Sequence, residues 1–435
     1  MSNKSKTTST KEEATHALVP KLRFPEFRGA EGWEETPLQK VARPVADRAV
    51  TGDGDNILSL SGEHGLVLQS DYFGKKVAGD SAERYLKLVR NDFVYNDRTT
   101  KASTFGTIKR LSKYEGGIVS PIYKCFRFNG DENPVFWEWY FESGNHDAAL
   151  RGLVNEGARA GRFNISITQF LSTAAPRPDE AEQQKIAECL ISLDELMAAQ
   201  TRKVHALKTY KKGLMQQLFP SEGETQPRLR FPEFLNAGDW GIKTLNQLLF
   251  ETKTRNRSLE LGPTDVLSVS GEVGCVNQIE HMGRSYAGVS VKNYHVVEHG
   301  DIVYTKSPLK RNPYGIIREN KWKRGIVSTL YAVYRPFPGC CGAYLDQFFS
   351  VAYHVNSYLQ PIVRKGAKND MKVNNAAVLK GEISVPNFDE QRKIAACLGS
   401  IDALITAEAQ KLGALKTHKK GLMQQLFLAP TISTS

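Results

Sequence analysis

Apolar residues along this chain fall into two long stripes of helical period. In the first, Ile186, Leu190, Leu193, Met197, Val204, Leu207, Leu214 and Leu218 follow alternating four- and three-residue steps, passing over Gln200 and Lys211. In the second, Ile394, Leu398, Ile401, Ile405, Leu412, Leu415, Leu422 and Leu426 do the same, passing over Glu408 and Lys419. A heptad stripe kept over about five heptads predicts a long helix with a narrow apolar seam. Each stripe opens on the same start signal. Asp179 and Asn387 both follow a proline and precede a glutamate, Glu182 or Glu390, by three residues, which is capping-box spacing. Gly213 and Gly421 sit inside the pattern, where each costs roughly 1 kcal/mol; their recurrence predicts close packing there or a local break. Elsewhere the period shortens. Runs at 57–60, 93–95, 118–123, 266–269, 302–304 and 326–333, bounded by Gly, Asn and Asp, predict strands. Aromatic stretches at 136–141 and 347–355 predict helices whose rings belong to a core.

The pattern is repeated. Lys21-Leu-Arg-Phe-Pro-Glu-Phe27 returns as Arg228-Leu-Arg-Phe-Pro-Glu-Phe234, and Trp33 returns as Trp240 at the same offset. Residues 182–219 and 390–427 align without a gap, with about two-thirds of positions identical. Between them only framework points match: Leu58-Ser-Leu-Ser-Gly62 with Leu267-Ser-Val-Ser-Gly271, Asp92-Phe-Val-Tyr95 with Asp301-Ile-Val-Tyr304, and Gly117-Ile-Val-Ser120 with Gly325-Ile-Val-Ser328. The expected order is a disordered tail (1–20), a variable domain (21–178), a long helix (179–219), a polar linker (220–227), a second variable domain (228–386), a second long helix (387–428) and a short tail (429–435). The fold class is α+β, two mixed α/β domains with an internal pseudo-twofold repeat. Each helix either packs its stripe onto its own domain or pairs with the other helix. The narrowness of the stripe favours pairing, as an antiparallel coiled coil. About 35 residues at 1.5 Å each make a rod of roughly 50 Å, longer than one DNA turn of about 34 Å.

Composition and charge narrow the partner. No apolar run approaches the ~18–20 residues that cross a bilayer, and the first twenty residues lack the apolar centre of a secretory signal. Six cysteines, with Cys340 and Cys341 adjacent, show neither disulfide-framework nor zinc-ligand spacing, and Cys189 and Cys397 fall on helices as small hydrophobes. These features point to the cytoplasm. The net charge of +11 favours a polyanionic partner, although many basic proteins bind none. Across residues 30–180 acidic groups slightly outnumber basic ones, whereas 235–388 is clearly basic. Two polar segments occupy the same station between framework strands. One holds Asn96, Arg98, Lys101, Lys109 and Arg110; the other holds Lys306, Lys310, Arg311, Asn312 and Arg318. A second basic station follows at Arg159 and Arg162, and at Lys368 and Lys372. Arg, Lys and Asn supply phosphate contacts and major-groove base contacts; the alternative for each is a solvated loop.

The chemistry of modification and cleavage is missing from the sequence. An amino-methyltransferase needs an Asn/Asp-Pro-Pro-Tyr/Phe loop, and Asn312-Pro-Tyr314 is one proline short of it. Gly74-Lys75 lacks the rest of a phosphate-binding loop. No catalytic cluster or metal-ligand pattern stands out, and the nine histidines are scattered. The paired Arg-Phe-Pro-Glu-Phe…Trp segments and the paired Glu-Gln-x-Lys-Ile-Ala…Lys-Lys-Gly-Leu-Met-Gln-Gln-Leu-Phe helices resemble the specificity subunits of type I restriction–modification systems. The resemblance covers nearly everything after the tail. It implies two target-recognition domains separated by conserved helices that form an antiparallel coiled coil, each domain reading half of a split, asymmetric sequence in double-stranded DNA. It implies two methyltransferase subunits that modify adenines with S-adenosylmethionine, and two motor–nuclease subunits that use ATP and Mg2+. This chain would be a non-catalytic subunit with no cofactor of its own. The competing readings are a coiled-coil scaffold whose variable domains bind proteins, and a stand-alone methyltransferase, which the absent motifs oppose.

Overall fold

The computed structural model describes residues 18–50, 56–73, 82–100, 103–153, 163–221, 223–271, 273–285, 287–288, 290–306, 311–365 and 371–428. The chain forms two compact units, residues 1–200 with 411–435, and residues 201–410.

In the first unit, strands β1 (Glu34–Pro37), β2 (Ala42–Pro44), β3 (Ile57–Ser61), β4 (Gly65–Leu68), β5 (Leu86–Val89), β6 (Phe93–Asn96), β7 (Thr107–Arg110), β8 (Gly116–Val119), β9 (Lys124–Phe128) and β10 (Ala174–Arg177) build three sheets. One has the order β2-β9-β6-β7 and is antiparallel throughout; another has the order β4-β3-β8-β5, with β3 and β8 parallel; β1 pairs with β10. The helix Pro134–Glu142 starts at Asn133, whose side chain accepts from the amides of Val135 and Phe136, satisfying donors that a helix start leaves unpaired. It buries Phe136, Trp137, Tyr140 and Phe141 against Phe93, Phe126 and Phe170, with Trp137 stacked on Phe128 at 4.6 Å. Ile186, Ala187 and Leu190, from the start of one long helix, and Leu426 and Phe427, from the end of the other, join this core.

The second unit repeats the plan with β11 (Gly241–Thr244), β12 (Leu249–Glu251), β13 (Leu267–Ser270), β14 (Gly274–Asn277), β15 (His295–Val297), β16 (Ile302–Thr305), β17 (Ile316–Glu319), β18 (Gly325–Val327), β19 (Tyr331–Pro336), β20 (Arg364–Lys365), β21 (Met371–Lys372) and β22 (Glu382–Val385). Its main sheet runs β12-β19-β16-β17, and β13–β14, β15–β18, β20–β21 and β11–β22 form pairs. Its core takes Met215, Leu218 and Phe219 from one long helix and Ile394 and Leu398 from the other.

Three expectations from the sequence change here. The strands expected at 118–123 and 326–333 are each two strands. Tyr123 N bonds Ser120 O at 3.1 Å and Tyr331 N bonds Ser328 O at 3.0 Å, and these turns reverse the chain between β8 and β9 and between β18 and β19. The helix expected at 347–355 is the junction of Gly342–Ser350 and Ala352–Leu359, broken where Val351 turns extended. Gly213 and Gly421 mark neither a break nor close packing, because both helices run through them and an added Cβ would meet open space.

The long helices span Glu180–Leu218 and Phe388–Leu426, 39 residues each. Asp179 and Asn387 cap them, accepting from the amides of Glu182 at 2.7 Å and Glu390 at 2.9 Å. The capping boxes are only half made, since both glutamates turn their carboxylates to an arginine. Glu182 receives Arg23 at 2.8 and 2.7 Å, and Glu390 receives Arg230 at the same two distances. Within the second unit Lys211 bonds Asp402 at 2.7 and 2.8 Å and Lys203 bonds Glu408 at 3.0 Å, so these helix segments run antiparallel. Within the first unit Lys419 pairs with Asp194. Along the stripes Ile186, Leu190, Leu218, Ile394, Leu398 and Leu426 are buried; Leu193, Met197, Val204, Leu207, Leu214, Ile401, Ile405, Leu412, Leu415 and Leu422 are partly buried.

Candidate nucleic-acid interface

The two polar segments are the tips of hairpins, β6–β7 in the first unit and β16–β17 in the second. Each hairpin is held at its base by a buried aspartate. Asp92 takes Arg127 at 2.6 and 2.9 Å, and Asp301 takes Arg335 at 2.8 and 2.9 Å. The same carboxylates accept from the amides of Val89 and Glu298, closing the turn that leads into each strand. At the tip, the Tyr95 hydroxyl donates to Phe105 O and the Tyr304 hydroxyl to Tyr314 O, both at 2.9 Å. Burial raises the pKa of both phenols, so they stay protonated and donate. The next residue is a glycine in the left-handed region, Gly106 at φ +92° and Gly315 at φ +105°. A Cβ there would lie 2.3 Å from the carbonyl oxygen of Asn96 or Thr305. Only glycine fits this closure.

The candidate residues divide by what holds them. Arg318 is 8% exposed and spans from Asp346 at 2.6 Å to Gly271 O at 3.1 Å. Arg110 bonds Glu138 at 2.6 Å and Asn91 at 2.7 Å, and Lys109 pairs with Glu142. These three cations are engaged by their own domains, tying β7 or β17 to the helix beneath. Burial alone would raise the Asp346 carboxyl, but Arg318 and Lys321 outweigh it and hold the pKa below its ordinary value. The neighbouring Glu319 is pushed up to about 7 by burial and then by Asp346. Arg98 and Arg311 are exposed, whereas Asn96, Lys306 and Asn312 are half-buried at the tips. Asn96 accepts from the Arg98 amide at 3.3 Å, and Arg311 O accepts from Asn356 at 3.1 Å. Lys101, Arg159, Arg162, Lys310 and Lys368 lie outside the described residues, as does the Lys372 side chain.

Sequence reasoning missed the Arg23–Glu182 and Arg230–Glu390 clamps. The signal was present, because both partners sit in segments that recur together. Among the described residues no group of three or more His, Cys, Asp or Glu could hold a metal ion, and no helix is long and apolar enough to cross a membrane.

No family model matches the sequence. Among solved structures the chain is similar to the type I restriction–modification S subunit of M. genitalium, at 12% identity over 94% of this chain and 99% of that one, with a TM-score of 0.53. It is also similar to the HsdS subunit of Thermoanaerobacter tengcongensis, at 15% identity over 92% and 99%, TM-score 0.44. A chain from a type I R-M system, described for its complex assembly and conformational transition, matches at 17% identity over 91% and 97%, TM-score 0.49. On the first of these likenesses, the chain has the fold of a type I restriction–modification S subunit.

Proposed function

We propose that this chain is the DNA-specificity subunit of a type I restriction–modification complex, each variable domain reading one half of a split, asymmetric target. One observation carries the reading: both domains keep the same hairpin frame and change its tip. Asp92 and Asp301, Tyr95 and Tyr304, and Gly106 and Gly315 recur in place, while the residues between strands diverge. A fixed frame with a variable polar tip suits direct readout, in which the scaffold positions and a few side chains specify. In this reading Arg98, Lys306, Arg311, Asn96 and Asn312 meet the DNA, and Lys109, Arg110 and Arg318 brace the hairpins.

The long helices act in this reading as an antiparallel coiled coil that sets the spacing between half-sites and docks two adenine methyltransferase subunits. Lys211–Asp402 and Lys419–Asp194 support it, because they are the same pair in the two copies of the repeat. Methyl transfer with S-adenosylmethionine, and ATP- and Mg2+-dependent translocation and cleavage by two motor–nuclease subunits, belong to partners; this chain is non-catalytic and acts in the cytoplasm. The test is co-expression with an Asn-Pro-Pro-Tyr/Phe methyltransferase and genome-wide mapping of modified adenines. A single split motif that depends on this chain is the expected result. Methylation that is absent, or unchanged when the chain is omitted, refutes the specificity role and leaves the scaffold reading.

A further inference from the structure

Away from its hairpin, the second unit has a basic cavity of about 850 Å3 between the end of the first long helix and the junction of Gly342–Ser350 with Ala352–Leu359. Lys208, Lys211, Lys212 and Arg228 line it, with no aspartate or glutamate in its wall. Lys211 is held by Asp402, and Arg228 meets Glu224 at 3.2 Å. Lys208 and Lys212 are exposed, one turn apart, and no carboxylate among the described residues pairs with them. The helix macrodipole does not account for them, because its effect is confined to the last turn and both stand further back from Leu218.

One helix, Ala352–Leu359, joins the cavity to the hairpin. Asn356 holds the Arg311 carbonyl at 3.1 Å. Tyr353, three residues earlier on the same helix face, is half-exposed and lines the cavity. We infer that the cavity seats DNA backbone, with phosphates flanking the second domain's half-site lying against Lys208 and Lys212. This rests on the DNA-reading role proposed above and extends the footprint from the variable tip onto the repeated helix.

The first unit makes the contrast. Its repeat-equivalent lysines, Lys416 and Lys420, line a cavity of only about 280 Å3 with Glu142 in the wall. Glu142 ends the helix Pro134–Glu142 as Ser350 ends Gly342–Ser350. A carboxylate, ion-paired with Lys109, therefore stands where the second unit has a hydroxyl, and the cavity has about a third of the volume, which leaves less room for a phosphate. The same lysines serve as a phosphate seat in the second unit only.

The test uses the full chain and a mixed-sequence 30-bp duplex, with affinity measured by fluorescence anisotropy from 50 to 200 mM NaCl. Each neutralised phosphate contributes about 0.9 to the salt slope. K208Q/K212Q should therefore flatten the slope by about 1.8, which is roughly ten-fold less affinity lost across that range. K208R/K212R should keep the wild-type slope, and K416Q/K420Q should leave it unchanged. A wild-type slope in K208Q/K212Q overturns the seat while leaving the reading by the hairpins standing. Loss of a co-purifying protein with an unchanged slope also overturns it, assigning the lysines to an acidic partner. Absence of salt-dependent binding by the wild type removes both the DNA reading and the seat.

Discussion

Replacing Arg230 with methionine should destabilise the second unit far more than deleting an ordinary ion pair. Arg230 and Glu390 are 5% and 1% exposed and share two charge-assisted hydrogen bonds of 2.8 and 2.7 Å. A third bond, 2.6 Å to Gly238 O, ties the segment before β11 to the same guanidinium. The bond to Glu390 raises the Arg230 pKa further above its ordinary value, against the opposing effect of burial. An exposed pair would be worth about 0–1 kcal/mol. Here R230M leaves a buried carboxylate without its partner, which costs about 3–5 kcal/mol. R230M/E390M removes both charges and should recover most of that loss, because a buried pair exchanged for apolar side chains is often neutral. The two units need not unfold together, so a single free energy for the whole chain would mislead. Pulsed hydrogen exchange with mass spectrometry across a urea series reads the second unit's amides separately. With a slope near 3 kcal/mol/M, R230M should move that transition by about 1–1.7 M. A shift below about 0.3 M, or a double variant as weak as the single, refutes the account of the clamp.

Three further outcomes follow from particular residues. Gly315→Ala places a methyl 2.3 Å from Thr305 O at φ +105°, a strain of about 1–3 kcal/mol or more, and should erase or relax methylation at one half-site while the other half keeps its sequence; an unaltered motif would remove the hairpin from readout. Burial holds His146 neutral, with its pKa lowered to about 3. Its contribution is fully present above the unfolded value of about 6.5 and is lost as pH falls from there toward the folded value, at about 1.4 kcal/mol per unit. The first unit should therefore lose about 2 kcal/mol from this group between pH 7 and 5, and H146Q should remove that part of the slope; parallel slopes would contradict it. Adding one turn, about 5 Å, to both long helices should widen the unread spacer by one or two base pairs in mapped methylation sites, and a fixed spacer would end the ruler model.

The long helices were legible because their period is local: each step of three or four residues can be read without knowing the partner. The positions that interrupt the stripe were legible only as interruptions. Lys211, Lys419 and Glu408 pair with Asp402, Asp194 and Lys203, residues some two hundred positions away, and no local pattern announces such a partner. The same limit hid the arginine of each Arg-Phe-Pro-Glu-Phe segment, whose glutamate lies at the far end of its domain. Strands 118–123 and 326–333 ran too long for different reasons. In the first, Pro121 directly after Ser120 was a turn signal that sequence reasoning passed over. In the second, Thr329, Leu330 and Tyr331 carry strand propensity through the turn at Ser328.

For the interface, residue type located the hairpins but could not separate the side chains that reach outward from those that brace. Arg311 and Arg318 are alike in composition and seven positions apart, yet one is exposed and the other is buried against Asp346. What separates them is the carboxylate beneath the strand. Glu138 under Arg110 and Asp346 under Arg318 lie on equivalent helices, so bracing is a repeated feature and the tip is not. That division gives the two kinds of substitution different signatures. Changing a bracing pair should lower the stability of its unit and weaken binding to every sequence alike. Changing an exposed tip residue should leave stability intact, and if the residue touches a base it should cost about 1–3 kcal/mol at one position of one half-site. A tip substitution that unfolds its unit, or an Arg318 substitution that alters one base preference without loss of stability, would reverse the assignment of brace and reader.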